Sequence, residues 1–135
     1  MTLPASRLRR LFVFGLLTAA PALGFIATAH AVPSPDEQKV IDRLMEHVEA
    51  KSAMVFIRND AEHDAAGAVK HMRAKLDHFK ARIVTAEDFI ELCATRSEMT
   101  GEPYKVREGK GPLREAAAFM REELKRVRAE LHKAG

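Results

Sequence analysis

Residues 64–83 read DAAGAVKHMRAKLDHFKARI, and this stretch decides the fold class. Ala65, Ala68, Val69, Met72, Leu76, Phe79 and Ile83 recur at spacings of three and four. At 100° per residue they fall within about 100° of one another, which is a single apolar stripe on a helix. Asp64 stands where a cap is needed, and Gly67 lies off the stripe. A helix with one apolar stripe must bury it against another layer, so the flanking sequence has to supply that layer.

Upstream, Ser34-Pro35-Asp36-Glu37 predicts a helix start. Ser34 can cap, Pro35 fits the first turn, and Glu37 can close a capping box. Val40, Ile41, Leu44, Met45 and Val48 then form a stripe that carries the helix to about residue 51. Met54-Val55-Phe56-Ile57 is an apolar run too short for a helix and reads as a strand, closed by the turn Arg58-Asn59-Asp60. Downstream, Thr85-Ala86-Glu87-Asp88 predicts a second boxed helix start, with a short helix to about Thr95. After a turn at Gly101 and Pro103, Tyr104-Lys105-Val106-Arg107 alternates like a strand and is the partner for residues 54–57, since neither strand is stable alone. Glu108-Gly109-Lys110-Gly111-Pro112 is a loop; it lacks the Gly-Lys-Ser/Thr of a nucleotide cradle. A last helix is expected from about Leu113 to Lys133. Its Leu113, Ala117, Met120, Leu124, Val127 and Leu131 form a heptad seam, which can dock on the chain's own helices or pair two copies. The expected fold is mainly α: about four helices with a small two-stranded antiparallel β pairing (α+β).

Residues 1–31 predict a cleavable signal. Arg7, Arg9 and Arg10 precede an uncharged apolar run from Leu11 to Ala29, and Ala29-His30-Ala31 places small residues where a signal peptidase reads. The run is long enough for a bilayer-spanning anchor, but Gly15, Pro21 and Gly24 interrupt it and the Ala-x-Ala end favours cleavage. Leu8 before Arg9-Arg10 favours the general secretory route over the twin-arginine route. The expected organisation is a signal, 1–31, and one domain, 32–135, delivered to the periplasm without a membrane anchor after cleavage.

Cleavage also removes the basic excess. The chain holds 22 Lys and Arg against 19 Asp and Glu, and three of those arginines lie in the signal, so the mature part is neutral with His uncharged. A nucleic-acid partner needs a basic excess to displace counterions from phosphates, and none is expected here. Cys93 is the single cysteine, so no intrachain disulfide forms. It shares an apolar face with Ala86, Phe89 and Ile90 and is expected to be a buried, inert thiol.

Four segments carry a resemblance: Phe56-Ile57-Arg58-Asn59, His71-Met72-Arg73-Ala74-Lys75, Thr85-Ala86-Glu87-Asp88-Phe89-Ile90, and Ser97-Glu98-Met99-Thr100-Gly101-Glu102-Pro103-Tyr104. In order and spacing they resemble the YfeK-like domain of unknown function, a family of small exported proteins of Gram-negative bacteria. The resemblance covers most of residues 40–107 and extends to the last helix only in its amphipathic character. It implies an exported location and brings no established activity, so no catalytic residue is carried over.

The residues themselves offer few sites. His71 and His78 lie seven apart, about 10.5 Å along a helix axis, too far to chelate one ion; His63 and Asp64 are again a full two turns away. No metal or cofactor is expected. A hydrolase would draw on Ser97 or Thr100 as nucleophile with His71 as base, but no strained nucleophile elbow is evident. His71, Lys75 and His78 share an arc of about 60° on the polar flank of the 64–83 helix. With reference pKa values near 6.5 the two histidines would charge in mildly acidic surroundings and make a cationic stripe. The expected function is therefore a non-catalytic binding or accessory module of the cell envelope, with a protein partner or an acidic small ligand at His71, Lys75 and His78. The alternative is a small hydrolase-like periplasmic enzyme built near His71 and Ser97. Protein recovered from a periplasmic fraction should begin at Val32 on N-terminal sequencing; full-length chain in the membrane fraction would mean that the segment is an anchor.

Overall fold

Helix α1, Pro35–Glu49, begins as its cap demands: Ser34 Oγ accepts from the Glu37 amide at 3.2 Å, with proline in the first turn. The capping box is not closed. Glu37 instead turns away from its own helix; its Oε2 accepts from the Ala86 amide at 2.7 Å and its Oε1 meets Arg128 at 3.4 Å. One carboxylate thus ties the start of α1 to the start of the third helix and to the last. The computed structural model describes residues 32–135, and the expected signal segment lies outside the described residues.

Strands β1, Met54–Arg58, and β2, Ala61–His63, follow, then helix α2, Ala65–Phe79, extended by a 3-10 turn at Lys80–Arg82. Asp64 caps α2 through Gly67 N at 2.7 Å. Helix α3, Ala86–Cys93, carries the full capping box of Thr85 and Asp88. Strands β3, Lys105–Glu108, and β4, Arg114–Glu115, precede helix α4, Ala116–Ala134.

The sheet has four antiparallel strands in the order β2-β1-β3-β4, where the sequence pattern predicts two. The expected pairing is present, with Phe56 opposite Val106 and Ile57 opposite Lys105. Both additional strands are short. At Asn59 and Asp60 the φ angles are 50° and 63°, so Arg58–Ala61 closes as a two-residue hairpin of the primed type whose twist suits the strands it joins. The chain therefore returns at once along β1. At the other edge Lys105 and Val106 pair with Glu115 and Arg114, and this delays α4 to Ala116. Leu113, expected on the helical seam, is left outside the helix and 55% exposed.

One sheet face is inward. Met54 and Phe56 alternate into the core with Val106 opposite, and Phe56 meets the Phe119 ring edge-on at 6.0 Å. Ile41, Leu44, Met45, Ile83, Phe89, Ile90 and Met120 fill the space between helices. Most of the heptad seam is spent here: Ala117, Met120, Leu124 and Val127 are buried in the same core. Among them sits a carboxylate, Glu123, only 1% exposed. It faces His47 Nδ1 at 3.4 Å, Lys51 Nζ at 3.3 Å and the Arg126 guanidinium. Lys51 and Arg126 keep contact with water, so loss of either is mild while loss of the carboxylate's charge is not. Glu123→Gln should lower the stability of the chain by about 1–2 kcal/mol, and Arg126→Ala by about 0.5 kcal/mol or less. Urea denaturation midpoints check this; equal midpoints for Glu123→Gln and the parent would contradict it.

Candidate functional site

Strand alternation continues past the apolar core. Arg58 follows Phe56 by two residues and Tyr104 precedes Val106 by two, so both extend the inward face at one end of the sheet. Helix α2 crosses there and presents His71. The ring joins the two strands: Arg58 Nη1 meets Nδ1, and Nε2 lies 3.0 Å from Tyr104 Oη. A guanidinium has only donors, so His71 Nδ1 must accept. The imidazole is then neutral, carries its proton on Nε2, and donates it to Tyr104. The tyrosine hydroxyl accepts, which leaves its own proton to donate elsewhere.

The electrostatics agree. Burial first, then the charges of Arg58 and Lys75 and a contribution from His63, lowers the His71 pKa to about 4. The expectation that His71 charges in mildly acidic surroundings is therefore corrected: it stays neutral well below its ordinary range. Lys75 is corrected too. The wheel puts it on an exposed flank, but the segment after α3 folds over it and leaves it 8% exposed. Its Nζ donates to Arg96 O at 2.9 Å, lies 4.0 Å from Glu98, and sits 5.3 Å from the centre of the Tyr104 ring and 5.7 Å from that of Phe79. Burial pulls its pKa below the usual lysine range. Only His78 is on the exposed flank as expected, edge-on to Phe79 at 4.7 Å.

These groups border one open groove of about 460 Å³. His71, Lys75, His78 and Ser97 all line it, together with Arg58, which sequence reasoning did not select. In the sequence Arg58 reads as the first residue of a turn; its position two residues beyond Phe56, on the inward face, is the signal that marks it. Among the described residues no carboxylate pairs with it, whereas Arg43, Arg96, Arg107, Arg114, Arg126 and Arg128 each have one within 3.5 Å. Arg58 is half-buried, so this is not the trivial freedom of an exposed side chain.

Ser97 is buried, and its hydroxyl is held by Asn59 Nδ2 and the Thr100 amide, each at 3.4 Å. Thr100 Oγ1 in turn donates to Asn59 Oδ1 at 2.8 Å. Those contacts tie the 97–101 turn to the β1–β2 hairpin. Both ring nitrogens of His71 are engaged elsewhere, so the ring does not act as a base on Ser97. Cys93 is fully buried and its thiol pKa is pushed up to about 12, as the apolar face predicts. Among the described residues no group of three or more His, Cys, Asp or Glu side chains is placed to hold a metal ion, and no helix is long and apolar enough to cross a membrane.

The family of unknown function DUF5329 matches residues 35–128, which is more than half of the chain and includes every residue of the groove. The chain belongs to this family. An uncharacterised relative, YfeK of Salmonella typhimurium strain LT2, is 35% identical over 89 residues, covering 66% of this chain and 74% of its own. No solved structure matches. The DUF5329 match brings no activity with it, so the chemistry of this member has to be argued from the groove.

The neutral ring has a consequence for stability. Unfolded, His71 regains a pKa near 6.5; folded, it binds its proton only near pH 4. Its contribution is complete above the unfolded value and is lost as pH falls from about 6.5 towards 4. Between pH 7 and pH 5 the parent should lose about 1–2 kcal/mol more stability than His71→Gln, which keeps one acceptor and one donor without titrating. Parallel stability curves in urea at the two pH values would contradict this.

Proposed function

We propose that the chain is exported to the periplasm with removal of residues 1–31, and that its mature part is a non-catalytic binding module of the cell envelope. It takes the anionic group of an acidic small ligand in the groove at Arg58. One observation carries the reading: a half-buried guanidinium with no carboxylate partner among the described residues, held in place by a neutral histidine. Four further groups around it offer N–H or O–H donors, namely Tyr104 Oη, Lys75 Nζ, Asn59 Nδ2 and Ser97 Oγ. A cluster of donors asks for an acceptor-rich occupant, and charge-assisted bonds to an anion are the strongest such contacts. Export rests on the n-region arginines, the apolar run and the Ala29-His30-Ala31 end.

The binding role is favoured over hydrolysis because the ring that would serve as base has no free lone pair. Its Nδ1 is occupied by Arg58 and its Nε2 proton by Tyr104. His71 is also not the source of the groove's charge, so it should not strengthen anion binding as pH falls through 6.5.

Acetate and inorganic phosphate, titrated separately into the purified mature chain, should shift the His71 and Tyr104 ring signals in NMR saturably. Added salt should weaken the effect by screening. Arg58→Gln should reduce affinity roughly tenfold or more. Unshifted signals with both anions, or equal binding by Arg58→Gln, would overturn the reading.

A further inference from the structure

A second and much smaller cavity, of about 30 Å³, shares Arg58, His71 and Tyr104 with the groove. His63 borders this cavity and not the groove. It faces inward because it pairs with Phe56 across β1 and β2, and directly opposed residues share a face of the sheet. The first turn of α2 lies against it: a Cβ at Gly67 would stand 3.7 Å from His63 Cβ and 4.0 Å from Nδ1. The other ring nitrogen, Nε2, is buried and has no hydrogen-bond partner. No other buried side-chain nitrogen or oxygen among the described residues lacks one. A nitrogen so placed has given up its hydration without a replacement, which folded chains rarely tolerate.

The junction holds the complementary group. His71 donates its Nε2 proton to Tyr104 Oη, and the hydroxyl's own proton has no acceptor among the described side chains. Tyr104 borders the same cavity as His63, and His63 is near enough to His71 for its charge to be felt there. A proton without an acceptor and a nitrogen without a partner thus share one space. One water needs roughly 10–15 Å³ of such space and at least two polar partners, and the cavity meets both requirements.

We infer that the cavity is a water site: a water held there accepts from the Tyr104 hydroxyl and donates to His63 Nε2. Every sense in the chain then follows from the guanidinium. Arg58 donates to His71, His71 to Tyr104, Tyr104 to the water, and the water to His63. His63 is neutral with its proton on Nδ1, the opposite tautomer to His71. The chain also makes His63 a reporter of a groove that it does not border. Tyr104 has a single proton to give, so an anion in the groove that takes it leaves the water without its donor, and the bond to Nε2 changes. This last consequence alone rests on the anion-binding reading.

Met72 and Ala68 also border the cavity and are 5% and 8% exposed, so their methyl groups sense a held water apart from surface water. In NMR of the protein at pH 7, both methyls should show cross-relaxation with water of the sign that marks a long-held molecule. The His63 ring should show Nδ1 protonated and Nε2 bare. Surface-type or absent cross-relaxation at both methyls would overturn the water site, and a proton resident on Nε2 would overturn the sense of the chain. Saturating acetate should shift the His63 ring nitrogens together with the His71 and Tyr104 signals. Shifts at His71 and Tyr104 with none at His63 would overturn the link through Tyr104 and leave the anion-binding reading standing. No shift at any of the three would overturn that reading, while the methyl and tautomer results still decide the water site.

Discussion

A guanidinium cannot accept a hydrogen bond, and the arrangement around the groove follows from that constraint. Arg58 reaches His71 Nδ1, so that nitrogen must offer its lone pair. The proton is thereby confined to Nε2 and directed to Tyr104. Three elements meet at this ring: the end of β1, the middle of α2 and the residue before β3. A neutral His71 leaves the charge of the site to the other groups that line it, Arg58, Lys75 and Glu98 among them. Protonation at Nδ1 would set a second donor against Arg58 and break the junction.

The fold supplies the junction through period and packing. Alternation along β1 and β3 brings Arg58 and Tyr104 onto the same inward face as Phe56 and Val106, one step past the apolar core. Polar groups at the end of a core are half-desolvated, which depresses the His71 and Lys75 pKa values and raises that of Tyr104. The turn at 97–101 is pinned to the hairpin by Asn59, Ser97 and Thr100, so the wall above Lys75 is held by side-chain bonds rather than by regular structure. Behind the site, Cys93 packs as an inert core group.

Much of this was legible in the sequence. Ser34, Asp64 and Thr85 cap the helices that the apolar stripes announce, and the β1–β3 pairing follows from two short runs that need each other. The two edge strands were not legible. β2 has no apolar alternation, being Ala61-Glu62-His63, and exists because Asn59 and Asp60 accept positive φ; β4 is two charged residues whose pairing is purely backbone. At the site, the helical wheel grouped His71, Lys75 and His78 correctly on one flank. It could not show that the chain after α3 returns over that flank, which buries Lys75 and brings Tyr104 to His71. Arg58 escaped notice because a turn residue in sequence is an inward-facing residue in the sheet. Long-range contacts of this kind leave no periodic trace.

The most direct test is the protonation state of one ring. Nitrogen-15 chemical shifts of His71 in the protein at pH 7 distinguish the two neutral tautomers from the imidazolium. A neutral ring with Nδ1 bare and Nε2 protonated is the result required by the Arg58–His71–Tyr104 junction. An imidazolium, or a proton resident on Nδ1, would mean that Arg58 does not hold the ring, and the account of the groove would fall with it.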